Sequence, residues 1–213
     1  MKTNFKFFAI TCLLFSSLSM KPLFAQEKTV DRKTILSVET DPSTFLFGGY
    51  AFHIRLKPSG SDRLVIGAGT YAMDFPAFLV DLNEKNKAKG WNVRINSAFG
   101  LFGEYYFNEA NKGWFAGLQA GIQNYKNSID PSPGKHISYS NLLIMPSAGV
   151  NWQPFDFPLY LKPWAGLGFT GRISGQNTLE GNTFDISTLS PFVTLHVGYA
   201  FSITRSTRQS KKK

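Results

Sequence analysis

The chain is short of cysteine, of charge and of long apolar runs, and each shortage removes a class of protein. Its one cysteine, Cys12, lies near the N-terminus inside an apolar stretch, so disulfides and thiol catalysis are excluded from the remainder. Charged residues make up only 17% of 213 positions, few for an ordinary globular surface. Beyond the N-terminus no apolar run approaches the ~20 residues that a spanning helix requires. Histidine is scarce as well: His53, His136 and His196 are far apart in sequence, with no cysteine to accompany them, so neither a metal site nor a cofactor is expected. No glycine-rich phosphate loop follows a strand and opens a helix.

The net charge of +9 belongs to the two ends. Residues 1–25 hold three lysines and no acid, and the last nine residues hold five bases, which leaves 15 bases against 14 acids between them. A basic surface for nucleic acid is therefore excluded. Lys2 and Lys6 precede an apolar run from Phe7 to about Leu18, and Leu23-Phe24-Ala25 stands before Gln26. Residues 1–25 read as a cleaved secretory signal, 26–32 as a short lead-in, and 204–213 as a basic tail able to attract anionic lipid headgroups weakly.

What the chain does hold is aromatic residues (15%, with 20 Phe), 19 glycines, and strict period-2 patterning. In Pro191–Ile203 the odd positions Val193, Leu195, Val197, Tyr199, Phe201 and Ile203 are all apolar, while Thr194, His196, Gly198 and Ser202 oppose them. That is a strand with one apolar and one polar face, its aromatics gathered at one end. The same dyad runs through Leu46–Leu56, Trp91–Phe107, Trp114–Gln123 and Leu159–Ile173, and more weakly through Arg63–Met73 and Tyr139–Trp152. In Trp91–Phe107 the odd residues from Trp91 to Phe107 are assigned to a single face. Connections alternate in length: Pro58–Asp62, Asn108–Lys112 and Gln153–Pro158 are short, whereas Asp74–Gly90, Lys126–Ser138 and Ser174–Ser190 are long and polar. Adding Thr34–Thr40 as a first strand gives eight, with both ends of the barrel region, residues 33–203, on the short-turn side.

On these residues the chain resembles the small eight-stranded outer-membrane β-barrels, the group that includes the membrane domain of outer membrane protein A. The resemblance implies an all-β, antiparallel up-and-down transmembrane barrel in a Gram-negative-type outer membrane, with short periplasmic turns and longer external loops. Its most specific part is the closing strand, where His196, Gly198, Phe201 and Ile203 look like the signal read by the barrel-assembly machinery. Two departures stand out. The chain continues for ten residues past that strand, and Pro146 and Pro163 fall inside strands, where a bulge or a rim position is expected to accommodate them.

Eight strands leave an interior that side chains fill. The expected lumen network is His53, Arg55, Arg94, Glu104, Arg172 and His196, with Glu104 neutralising one or more of the arginines; Lys162, Gln119 and Gln123 face the same way. The surplus of bases gives an alternative reading, a narrow anion-preferring passage. His136-Ile137-Ser138 offers the only His/Ser spacing suited to an activated hydroxyl, but no acid follows to orient the imidazole before Asp156. The expectation is therefore a non-catalytic barrel that is structural or presents loops to an unknown external ligand or protein, in contact with outer-membrane lipid. A lipid-modifying enzyme and a narrow channel or apolar-solute port are the alternatives. Phe75–Val80 is too apolar for an exposed loop and reads equally as a rim-packing segment or as a patch for a partner.

Overall fold

The computed structural model describes residues 33–130 and 134–203. The expected signal, lead-in and basic tail, with Cys12, lie outside the described residues. The strands are β1 (Thr34–Thr40), β2 (Tyr50–Lys57), β3 (Leu64–Phe75), β4 (Trp91–Tyr106), β5 (Gly113–Ile129), β6 (Ile137–Asn151), β7 (Leu159–Gly175), a small hairpin of β8 (Thr178–Leu179) and β9 (Asn182–Thr183), and β10 (Leu189–Ile203). Eight of them close into an antiparallel barrel in the order β1-β10-β7-β6-β5-β4-β3-β2. Register partners traced from Val38 through Ile54, Ala68, Leu101, Ala120, Ile144, Phe169 and Leu189 return to the line of β1 opposite position 48, ten residues above the start. A stagger of that size in eight strands corresponds to a tilt of about 40°.

Alternation follows from this closure. On β5 the odd residues Phe115, Gln123, Asn127 and Ile129 are turned inward, while Trp114, Leu118 and Ile122 are exposed. Outward residues on the other strands, among them Ile54, Ile66, Phe99, Leu101, Ile144 and Phe169, continue an apolar belt around the barrel. From Trp114 to Ile122 the belt spans nine residues of β5, roughly 23 Å at the barrel's tilt. Above it the outer face turns polar: Asn124 donates to Ser97 (3.1 Å) and accepts from Ser140 (2.7 Å). At the short-turn end Tyr105, Phe107, Trp114, Trp152, Phe155 and Tyr199 are exposed as an aromatic rim.

The structure corrects the single-face reading of Trp91–Phe107. The β4–β5 register shifts between Ile95 and Ser97, leaving Asn96 as an extra residue. Below that bulge Ala98, Glu104 and Tyr106 are buried; above it Trp91, Val93 and Ile95 are. One inserted residue flips every side chain beyond it to the opposite face. The inverted region is apolar inside. Trp91, Val93, Ile129, Ile137 and Tyr139 form a core with Val80, Leu179 and Phe184 from the two long loops. This settles Phe75–Val80 as rim-packing in part: a short helix, Ala77–Val80, buries Val80 there, and Phe78 and Leu82 stay exposed.

Three further expectations need correction. Leu46 does not begin a strand; Pro42–Leu46 is a helix and β2 starts at Tyr50. Asp41 caps that helix, its side chain accepting from Ser43 N (2.9 Å), with Pro42 at the first helical position, a favoured helix start. Lys126–Ser138 is not all loop: β5 runs on to Ile129 and β6 begins at Ile137, because Asn127, Ile129, Ile137 and Tyr139 are turned inward, and seven residues remain between the strands. Pro146 and Pro163 sit at no bulge. The β6–β7 register stays constant past both, and pairing lapses at Met145–Pro146 and again beside Pro163. Each proline turns its missing N–H into the seam between β6 and β7, Pro146 toward β7 and Pro163 toward β6.

Candidate functional site

The lumen is closed by four charged side chains from four strands. Glu39 (β1) and Glu104 (β4) face Arg55 (β2) and Lys162 (β7), all buried. Arg55 Nη1 donates to Glu39 Oε2 at 3.1 Å and its Nη2 to Glu104 Oε2. Lys162 Nζ donates to Glu104 Oε1 at 2.5 Å and lies 3.7 Å from Glu39 Oε1. Two cations meet two carboxylates, so the set is neutral. Two tyrosines add to the network: Tyr160 OH donates to Glu39 Oε1 at 2.7 Å, and Tyr106 OH gives Glu104 Oε2 a second donor at 3.1 Å. Arg55 lies 4.8 Å from the Phe102 ring centroid and Lys162 lies 4.6 Å from that of Phe115, so each cation also has an aromatic face.

Backbone register explains why these groups converge. Glu39 is paired with His53 on β2 and with Gly198 on β10, which lines up three adjacent strands. Glycine is required at 198 because any Cβ there would collide with the Tyr160 ring, and Tyr160 holds Glu39. Gly69 likewise makes room for the His53 imidazole. His53 stacks on His196 at 4.7 Å, and His196 Nδ1 is 3.1 Å from Glu39 Oε2.

Of the expected network, His53, Arg55, Glu104 and His196 come together. Arg94 and Arg172 do not. Arg94 lies above the Asn96 bulge and points outward, donating to Asp74 (2.7 Å) and to Gly48 O (3.2 Å). Arg172 lies at a second irregularity, between the β6 pairs at Ser140 and Asn141, and donates to Asn177 in the loop (2.7 Å). Lys162 takes their place. Glu39 is the residue that sequence reasoning missed, although the alternation Ser37, Glu39 against Leu36, Val38 in β1 marked it as inward.

The histidines are far apart in sequence but not in space. His53, His196 and Glu39 each present a ligand atom within 4.8 Å of the others. Arg55 and Lys162 already engage Glu39, and a divalent ion there would add two charges to a neutral set. The cluster therefore reads as the upper edge of the ion network. Among the described residues no hydrogen bond joins His136 to Ser138; His136 is exposed in the β5–β6 connection. Of the residues expected to carry the assembly signal, His196 is buried, Gly198 abuts Tyr160, and Phe201 and Ile203 are exposed at the short-turn end.

The long-loop mouth is closed as well. Asn83 donates to Asp185 Oδ2 (2.9 Å), Asn86 donates to Asp185 O (2.8 Å), and Lys85 pairs with Asp185 (3.1 Å). These bonds lock residues 76–90 to 176–188. The hydrogen bond from Asn83, then Lys85, holds the Asp185 carboxyl below the usual carboxylate range.

Closed register, apolar belt and filled lumen together define a small eight-stranded antiparallel barrel of the outer-membrane type. Among solved structures the chain is similar to the N-terminal β-barrel domain of Pseudomonas aeruginosa OprF, at 8% identity, covering 80% of this chain and 98% of that one with a TM-score of 0.39. It is also similar to Neisserial surface protein A (NspA), at 12% identity, covering 79% of this chain and 95% of that one with a TM-score of 0.39. No protein-family model and no curated protein matches the sequence.

Proposed function

We propose that this chain is a non-catalytic barrel of a Gram-negative-type outer membrane that holds its wall closed and presents a preformed loop surface to an external ligand or protein. The neutral Glu39–Arg55–Glu104–Lys162 plug carries this reading. It fills the lumen with paired charge and rings, and a conducting path would have to break it. The outward apolar belt supports contact with outer-membrane lipid, and the exposed alternating end of β10 supports recognition by the assembly machinery. The Asn83–Asp185 lock supports presentation over gating, since it joins the two longest loops in one block. In this setting the short-turn end is periplasmic.

In planar bilayers the folded protein is expected to give no discrete conductance steps, and regular steps from the unaltered chain would sink the closed-lumen reading. Folded samples should migrate faster than boiled ones in gels and should require detergent. A chain soluble without it would overturn the membrane assignment. Exchange of residues 76–90 should abolish partner capture while the gel shift is retained.

A further inference from the structure

β1 and β2 have only seven and eight residues, against 15 to 17 for β4, β5, β6, β7 and β10. Pairing of β10 with β1 ends at Val197 opposite Thr40, yet β10 runs on to Leu189 with β7 as its one strand partner. The orientation of its main chain is fixed by two bonds: Ala200 N donates to Pro158 O (3.0 Å), and Thr188 O accepts from Thr170 N (2.9 Å). Even positions of β10 thus address β7, and odd positions address the line of β1. Above Val197 those odd residues are Leu189, Pro191, Val193 and Leu195. Among the described residues no main-chain bond from the Asp41–Gly49 connection reaches them. Pro191 needs no donor partner, as suits a free edge.

The helix Pro42–Leu46 occupies the space where β1 would have continued. A helix cannot complete a strand ladder, but it does fill the lumen side: Asp41 accepts from Thr194 at 2.5 Å, and Thr44 is buried. The outer side stays bare. Val193 is 84% and Leu46 83% exposed, the largest values among the large hydrophobics of the described residues, whereas Leu118 on the intact wall is 57% exposed. With the tilt derived above, Val193 lies roughly 10 Å below the polar girdle of Ser97, Asn124 and Ser140, inside the apolar belt.

We propose that this gap seats one acyl chain of an outer-leaflet lipid whose chains are amide-linked and hydroxylated, the chain resting on Val193, Leu46 and Phe45 while its amide or hydroxyl bonds the free edge of β10. The inference rests on the outer-membrane reading above. Hydrocarbon alone leaves the edge N–H and C=O groups unsatisfied, which is costly within a bilayer. A second copy inserted in the same sense runs its own β10 in the same direction, and a two-fold axis along the membrane normal would cross the two strands at about twice their tilt, so edge pairing fails. At headgroup level a pocket of about 500 Å³ is lined by Arg94, Lys126 and His136 with a single acid, Asp74, a balance suited to a phosphate-bearing headgroup. Arg94 also bonds Gly48 O, which ties that pocket to the connection filling the gap.

The full chain, folded in detergent, would be exposed to lipid A and separately to phosphatidylethanolamine, whose chains are ester-linked and unhydroxylated, and examined by native mass spectrometry. The expected result is one lipid A per barrel, held about tenfold more strongly than phosphatidylethanolamine. Val193→Trp should remove that preference, and Leu118→Trp on the intact wall should keep it. If Val193→Trp does not fold, Leu46→Ser serves in its place. Equal retention of both lipids, or an unchanged preference in the gap variants, would overturn the proposal. So would a photo-crosslinker at position 193 that traps polypeptide instead of lipid in native membranes. Quenching of the Leu118→Trp fluorescence by brominated lipid tests the membrane reading separately: its loss sinks both ideas, and its presence without lipid A preference sinks only the gap site.

Discussion

Replacing Glu104 with Gln tests whether the lumen is held by charge balance or by shape alone. The substitution keeps the volume and removes one of two carboxylates, so Arg55 and Lys162 are left with Glu39. Lys162 suffers most, because its 2.5 Å contact is to Glu104 and Glu39 is 3.7 Å away. Breaking a buried pair by removing one partner costs about 3–5 kcal/mol. A small cavity bordered by Glu104, Arg55 and Lys162 gives water limited access, which places the expectation near the lower end, roughly 3 kcal/mol. Urea titration of the barrel in lipid vesicles, followed by tryptophan fluorescence and gel mobility, measures the loss. The partner variant Lys162→Met restores neutrality in the double mutant. That pair should then cost about 2 kcal/mol less than the sum of the single changes. A Glu104→Gln loss below about 1 kcal/mol, or strict additivity, would refute the charge-balance argument.

Gly198→Ala should destabilise by about 1–3 kcal/mol through collision with Tyr160, whereas Gly103→Ala, which meets nothing within 4 Å, should be close to neutral in the same titration. Pro146→Leu supplies a main-chain donor to the β6–β7 ladder inside the apolar belt and should stabilise by about 1 kcal/mol; a loss of stability there would mean the ladder gap is needed. Because Asp185 titrates below its ordinary range when folded, the loop lock is intact above that range and weakens as pH falls through the depressed value. Hydrogen-exchange protection in residues 76–90 and 176–188, corrected for the intrinsic slowing of exchange in acid, should fall together on acidification in the unaltered chain and should lose that dependence in Asp185→Asn.

The parts of the barrel that alternate without interruption were legible. β5 and β6 keep one parity from end to end, and the closing strand's faces fall as the sequence implies. Arg94 and Arg172 were misplaced because parity carries no marker for an inserted residue. Asn96 is polar, as is Arg94 two residues before it, and Ala98 two residues after it is small enough for either face, so nothing local distinguishes a bulge from a continuous strand. Glu39 was legible but sat in a strand too short to draw notice. The helix at Pro42 carried its start signal openly, as Asp-Pro, yet the apolar dyad that follows in Leu46–Leu56 obscured it.

The bulges do more than misplace two arginines. In the belt the barrel is apolar outside and polar inside, the arrangement that lipid imposes. Above the Asn96 bulge it is polar outside and apolar inside, the arrangement that water imposes on a sandwich or a small soluble barrel. A wall with unbroken parity could achieve both only by exchanging residue types at every position, as β5 does between Ile122 and Asn124. An extra residue in β4 obtains the same inversion by turning the strand over, so Trp91 and Val93 reach the loop core while Phe99 and Leu101 reach the belt. β1 and β2 end before any such crossover, and no strand from them enters the upper core. The loop cap therefore rests on β4, β5 and β6, while the side of the barrel beneath it, where β1 stops at Thr40, is left with a helix in place of a strand.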